Sequence, residues 1–229
     1  MRTLLYVPII HMSADMGSLA KNFTNRGIKD LGEEVWERHR KTVSMFWDSI
    51  TAFFEAMPVR GFKIYQDGMV ANGEIAEKII EEGIRSGSKN YEIIRKLMEK
   101  GAVLQKTEDP ALVKEERDWL LRITQAGTLP EKLKAYLGFR GAKDHLLKRR
   151  DSYIAETINS TLGQGGTGIL FIGAYHEIIP RLDPDIRVKE IKEVRKVKEY
   201  QKRLPYQGRK KDALFEKLSD YLIKPVHDG

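Results

Sequence analysis

Two of the five histidines in this 229-residue sequence follow apolar runs, and carboxylates follow two further runs. His11 closes YVPIIH, with Asp15 close behind. Asp67 closes KIYQDG, Glu108 and Asp109 close LQKTED, and His176 and Glu177 follow GILFIGAY. Neutral imidazoles with a carboxylate suit a borderline-to-hard divalent ion, which polarises a carbonyl and lowers the pKa of bound water. Without metal, an imidazole oriented by a carboxylate serves as general base for hydrolysis. Spacing alone does not separate these two chemistries. Each residue also has an ordinary alternative: a histidine in a turn, an Asp-Gly turn, or Asp109 capping a helix that starts at Pro110. The functional reading depends on all four runs being parallel strands, because open parallel sheets bind ligands outside the carboxyl ends of their strands.

The elements needed to hold such a site are visible in the apolar periodicity. TLLYVPII (Thr3–Ile10), GFKIYQDG (Gly61–Gly68), GAVLQKTED (Gly101–Asp109) and GILFIGAYH (Gly168–His176) are predicted strands, with DIRVKEI (Asp185–Ile191) a candidate fifth. A long helix carries Trp36, Val43, Phe46, Trp47, Ile50, Phe53, Phe54 and Met57 at helical spacing, a stripe that belongs in a core. Helices are expected over Gly73–Gly83, Lys89–Lys100, Pro110–Gln125 and Pro130–Leu162, the last with a break where glycines cluster at Gly138–Gly141. Val194–Arg203 and Lys211–Ile223 complete the helices. Alternating strands and helices imply an α/β fold, a mostly parallel β-sheet flanked by helices. The chain is expected to be a single domain over 1–229, with a helical insertion or cap at 110–163 and basic C-terminal helices at 192–229. GQGGTG precedes a strand rather than following one, the wrong order for a phosphate-binding turn.

Composition narrows the chemistry. Without cysteine there are no disulfides, thiolate metal sites or thiol nucleophiles. A 32% charged fraction of mixed sign fits a thermophilic source. No apolar run approaches the roughly 20 residues of a membrane helix. The N-terminal MRTLLYVPIIHMSADMG lacks a small-residue cleavage site after its apolar run, so it is expected to be a strand of a cytoplasmic protein. Net charge is +7, concentrated in RVKEIKEVRKVKEYQKRL and GRKKD. These are expected to be solvated helix faces, since no nucleic-acid-binding motif accompanies them. His39, among charges in WERHRK, is expected on an exposed helix face, and His145 and His227 are weaker candidates still. Arg149, Arg150 and Asp151 precede an apolar helical face of Tyr153, Ile154, Ile158 and Leu162. Spacing favours an ordinary salt-bridged helix there over an arginine aimed at a substrate carboxylate or oxyanion.

The stretch RRDSYIAETINSTLGQGGTGILFIGAYH resembles the C-terminal half of the Tiki/TraB/GumN superfamily, whose wider circle includes the ChaN-like and erythromycin-esterase-like proteins. That family also has a Gly-x-x-His after its first strand and an acidic residue, usually Glu, after its second. Here His11 is in place, Pro8 stands for the glycine, and Asp67 occupies the acidic position. The resemblance implies an α/β fold with a metal-dependent hydrolase site for a small-molecule or peptide substrate. His11, His176 and Asp67 would bind a divalent ion of manganese or cobalt type. Glu177 or Glu108 would act as general base, and Arg150 would steady the substrate. Esterase-like members imply a metal-free histidine route. ChaN-like members imply the alternative of a non-catalytic protein binding haem or another acidic ligand in the same crevice.

Overall fold

The computed structural model describes residues 1–15, 20–207 and 212–226. Five strands form one all-parallel sheet in the order β3-β2-β4-β1-β5: β1 Arg2–Ile9, β2 Lys63–Gln66, β3 Val103–Leu104, β4 Thr167–Gly173 and β5 Ile186–Glu190. The helices are α1 Ala20–Leu31, α2 Glu33–Glu55, α3 Gly73–Arg85, α4 Lys89–Glu99, α5 Pro110–Gln125, α6 Leu129–Thr161, α7 Val194–Arg203 and α8 Ala213–Ile223. This is the expected α/β class. The basic run at 208–211 and His227 lie outside the described residues.

Side-chain alternation along the central strands feeds two cores. Leu5, Val7, Ile9, Ile64, Ile169 and Phe171 face α2, α4, α7 and α8, whose Phe46, Trp47, Ile50, Ile94, Tyr200 and Phe215 complete the larger core. Leu4, Tyr6, Tyr65, Leu170 and Ile172 face Ile154 and Ile158 of α6 and Leu162 just past its end. Helices leave β1 and β2 on one face and return to β4 on the other. The middle strand β4 therefore lies where oppositely directed crossovers part, the favoured ligand position in such sheets.

Several expectations need correction. The third strand is two residues, not nine. Beyond Leu104 the chain turns towards β2: Gln66 N–H donates to Thr107 Oγ1 at 3.0 Å, and the Thr107 and Glu108 N–H groups donate to Met69 O at 2.8 and 3.0 Å. The predicted glycine break in α6 is absent. A Cβ on Gly138 would lie 2.9 Å from the Trp119 ring, so this glycine admits α5 against an unbroken α6. The Thr128 and Glu131 capping box starts that helix cleanly. Sequence periodicity also missed α1, which precedes the aromatic stripe.

His39 is buried, not exposed. Its Nδ1 lies 2.8 Å from the Tyr200 hydroxyl, and it packs between Trp36 and Tyr200. Burial pushes its pKa down from 6.5 to about 4. With the folded pKa depressed, the unfolded chain takes up this proton first, so stability is lost as pH falls from about 6.5 towards 4. The expected loss is about 3 kcal/mol, read from urea midpoints across that range. His39→Gln should flatten the slope, and an unchanged slope would remove His39 as its source.

Candidate functional site

The register sets the site. Ile9 pairs with Gly173, so His11 and His176 each follow within three residues of the paired ends of neighbouring strands. Asp67 follows β2 directly. Its N–H donates to Phe171 O at 2.9 Å, carrying the pairing one residue further, and its Oδ2 accepts the Gly173 N–H at 3.1 Å. A Cβ on Gly173 would sit 3.3 Å from Asp67 Oδ2 and 3.4 Å from His176 Cδ2. Glycine at this position therefore leaves room for the carboxylate and the imidazole to face each other.

His176 lies in the turn after β4, its N–H donating to Gly173 O at 3.1 Å. Its Nδ1 is 2.6 Å from Asp151 Oδ1, and Asp151 Oδ2 accepts the Glu177 N–H at 2.9 Å. Since a carboxylate only accepts, the ring proton sits on Nδ1. Nε2 faces Asp67 Oδ2 at 3.6 Å, beyond direct hydrogen-bonding range. Burial draws the imidazole pKa down, but Asp151 and Asp67 outweigh it and the net shift is upward from 6.5.

Next to Asp151 on α6, Arg150 is the hub of a buried ion cluster. Its Nε donates to Glu108 Oε2 at 2.7 Å and its Nη2 to Glu108 Oε1, a bidentate fork. Nη2 also reaches Asp67 Oδ1 at 2.7 Å, and Nη1 reaches Glu116 on α5. Glu108 is fully buried and also accepts the Gly68 N–H at 2.9 Å. Its pKa rises to about 7, because burial and the nearby Asp67 outweigh the pull of Arg150. Burial pushes the Asp67 carboxyl upward too, but His176, Arg150 and His11 together hold it well below the usual range. The pair thus divides its roles: Asp67 stays ionised and Glu108 is the readier to hold a proton.

Asp67, Glu108, Arg150 and His176 therefore meet. His11 stands at the margin, its Nδ1 3.8 Å from Asp15 Oδ2 and without a hydrogen-bond partner among the described residues. Asp15 is itself fixed by the Met12 N–H at 2.7 Å and by the Ser88 hydroxyl. Glu177 is exposed and joins the cluster through its backbone N–H alone. Asp109 caps α5, accepting the Ala111 N–H at 2.7 Å. Arg150 has all three nitrogens engaged by carboxylates, so its work is to organise them rather than to reach outward.

Comparison with protein-family models, curated proteins and solved structures finds no match.

Sequence reasoning missed Asp151 and Glu116 as site residues. A signal for Arg150 was present. Leu146, Arg150, Ile154, Ile158 and Leu162 recur every four residues and all are buried. A charged residue in such a stripe must be paired inside the protein.

The donor set can be tested against a divalent ion. His176 has its free Nε2 and a carboxylate behind its other nitrogen, the usual support of a ligating imidazole. Asp67 also accepts from Arg150 at Oδ1 and from the Gly173 N–H at Oδ2. Among the described residues, no group of three or more His, Cys, Asp or Glu side chains is placed to hold a metal ion. As arranged, Asp67 and His176 face each other with no third such side chain beside them among the described residues. No described helix is long and apolar enough to cross a membrane.

Proposed function

We propose that this protein is a hydrolase of ester or peptide bonds in which His176 is the general base. The observation that carries this reading is the contact of Asp151 with Nδ1, which fixes the tautomer and leaves the Nε2 lone pair available beside an ionised Asp67. A water at Nε2 gives up a proton as its oxygen bonds to the substrate carbonyl carbon. The C–O or C–N bond then breaks, and the imidazolium returns the proton to the leaving group. Asp67, 3.6 Å from Nε2, stabilises the imidazolium between these steps. Glu108, Glu116 and Arg150 hold Asp67 in place and touch no reacting atom. Glu177, exposed, stays outside this scheme.

Purified protein assayed on p-nitrophenyl esters and fluorogenic peptides is expected to hydrolyse one of the two classes. Since the base must be neutral, the rate should fall as pH falls through the raised pKa of His176, with an inflection above 6.5. Activity should survive chelation. Loss on chelation with recovery on adding manganese or cobalt would instead place an ion on His176, His11 and Asp67. Turnover unaffected by His176→Ala would sink the reading altogether.

A further inference from the structure

His11, at the margin of the ion cluster, also borders a cavity. This cavity, of about 560 Å³, opens between the β1 loop, α2 and the α3–α4 turn. Its volume suits a small molecule. Glu37, Arg40, Lys41 and Ser44 line it at i, i+3, i+4 and i+7, so one face of α2 forms a wall. His11 and the buried His39 line it as well.

The charge on that wall is lopsided. Arg40 Nη1 pairs with Glu37 Oε1 at 2.7 Å, which largely cancels both. Lys41 has no ion-pair partner among the described residues and is exposed. His39 is held neutral by burial. At the inner end, His11 Nδ1 has no hydrogen-bond partner among the described residues, with Asp15 Oδ2 3.8 Å away. Asp15 is nearby but committed to the Met12 N–H and the Ser88 hydroxyl.

We infer that this cavity is the specificity pocket of the site and takes the anionic tail of a small substrate. A carboxylate or phosphate on the tail meets Lys41, with Arg40 free to swing from Glu37. The scissile carbonyl then lies inward, past His11, towards His176. This rests on the hydrolase reading for its chemistry, but the pocket's anion preference stands on its own residues.

The test compares p-nitrophenyl hemisuccinate with the neutral p-nitrophenyl butyrate on wild-type protein and on the Arg40→Ala/Lys41→Ala double variant. The hemisuccinate should show the lower KM, with an advantage that shrinks as salt rises. The double variant should raise its KM about tenfold and so narrow its advantage over the butyrate. Inhibition by succinate or by inorganic phosphate tells which anion the pocket prefers. Equal KM for both esters, indifferent to the double variant, would overturn the pocket while leaving the hydrolase intact. If neither ester turns over, calorimetry with monomethyl succinate separates the two ideas. Binding that the double variant abolishes keeps the pocket and removes the hydrolase; no binding removes both.

Discussion

Asp151→Asn should lower kcat by about a thousandfold to ten-thousandfold while leaving the protein folded. Asp151 has two partners, and an asparagine can satisfy only one without penalty. Its carbonyl oxygen can still accept the Glu177 N–H, which Asp151 takes at 2.9 Å. The amide N–H₂ then faces His176 Nδ1, where a carboxylate stood at 2.6 Å. Two donors cannot share that contact, so the ring proton moves to Nε2 and the lone pair needed for catalysis turns away. A second readout separates this from general damage. Asp151 is a main reason the His176 pKa is raised, so residual activity in the variant should titrate at lower pH than in the wild type. His176→Ala should cost a similar factor, and the double variant little more, because the two residues act as one unit. An Asp151→Asn enzyme with unchanged kcat and pH profile would leave Asp151 a purely structural residue.

Arg150→Met is expected to destabilise the fold by about 3–5 kcal/mol, the usual result of removing one partner from a buried ion cluster. The guanidinium holds Glu108 by a fork and Asp67 by a third contact, and among the described residues Glu108 has no other ion-pair partner. Without it, both pKa values rise in the folded state. The native form then binds protons that the unfolded chain releases, so the loss should be larger at pH 8 than at pH 5. Urea denaturation at the two pH values checks this. Adding Glu108→Gln to Arg150→Met should recover part of the loss at pH 8, by removing a carboxyl that the fold would otherwise have to keep protonated. Arg150→Lys should rescue poorly, since an ammonium cannot reproduce the fork. A loss under 1 kcal/mol, or one independent of pH, would show that the cluster does not anchor the fold.

Much of this was legible in the sequence, for identifiable reasons. β1 and β4 are continuous apolar runs because both faces of a central parallel strand are buried, and their bounds fall within three residues of expectation. The α2 stripe was equally plain, since Trp36, Phe46, Trp47 and Ile50 are all buried. β3 was overextended because Gln105–Glu108 looks strand-like, yet those residues bond back to β2 and Met69. At the site, His11, Asp67, Glu108 and His176 could be found because strand ends are visible one strand at a time. Arg150 and Asp151 were harder. They belong to a helix, and only the sheet's three-dimensional order brings α6 over the ends of β2 and β4. His39 shows the converse error: flanking charges in WERHRK said nothing about the side of α2 on which it lies.

The division of labour at the centre has a consequence for how such a protein would change over generations. Arg150, Glu108 and Asp67 serve the fold as well as the site, whereas the Asp151–His176 contact serves the proposed chemistry. A lineage that abandoned catalysis would be freer to drift at 176, and at 151 wherever the Glu177 N–H kept an acceptor, than at 67, 108 and 150. Retention of the arginine in a related chain would therefore be a poor marker of activity, and the aspartate–histidine contact a good one.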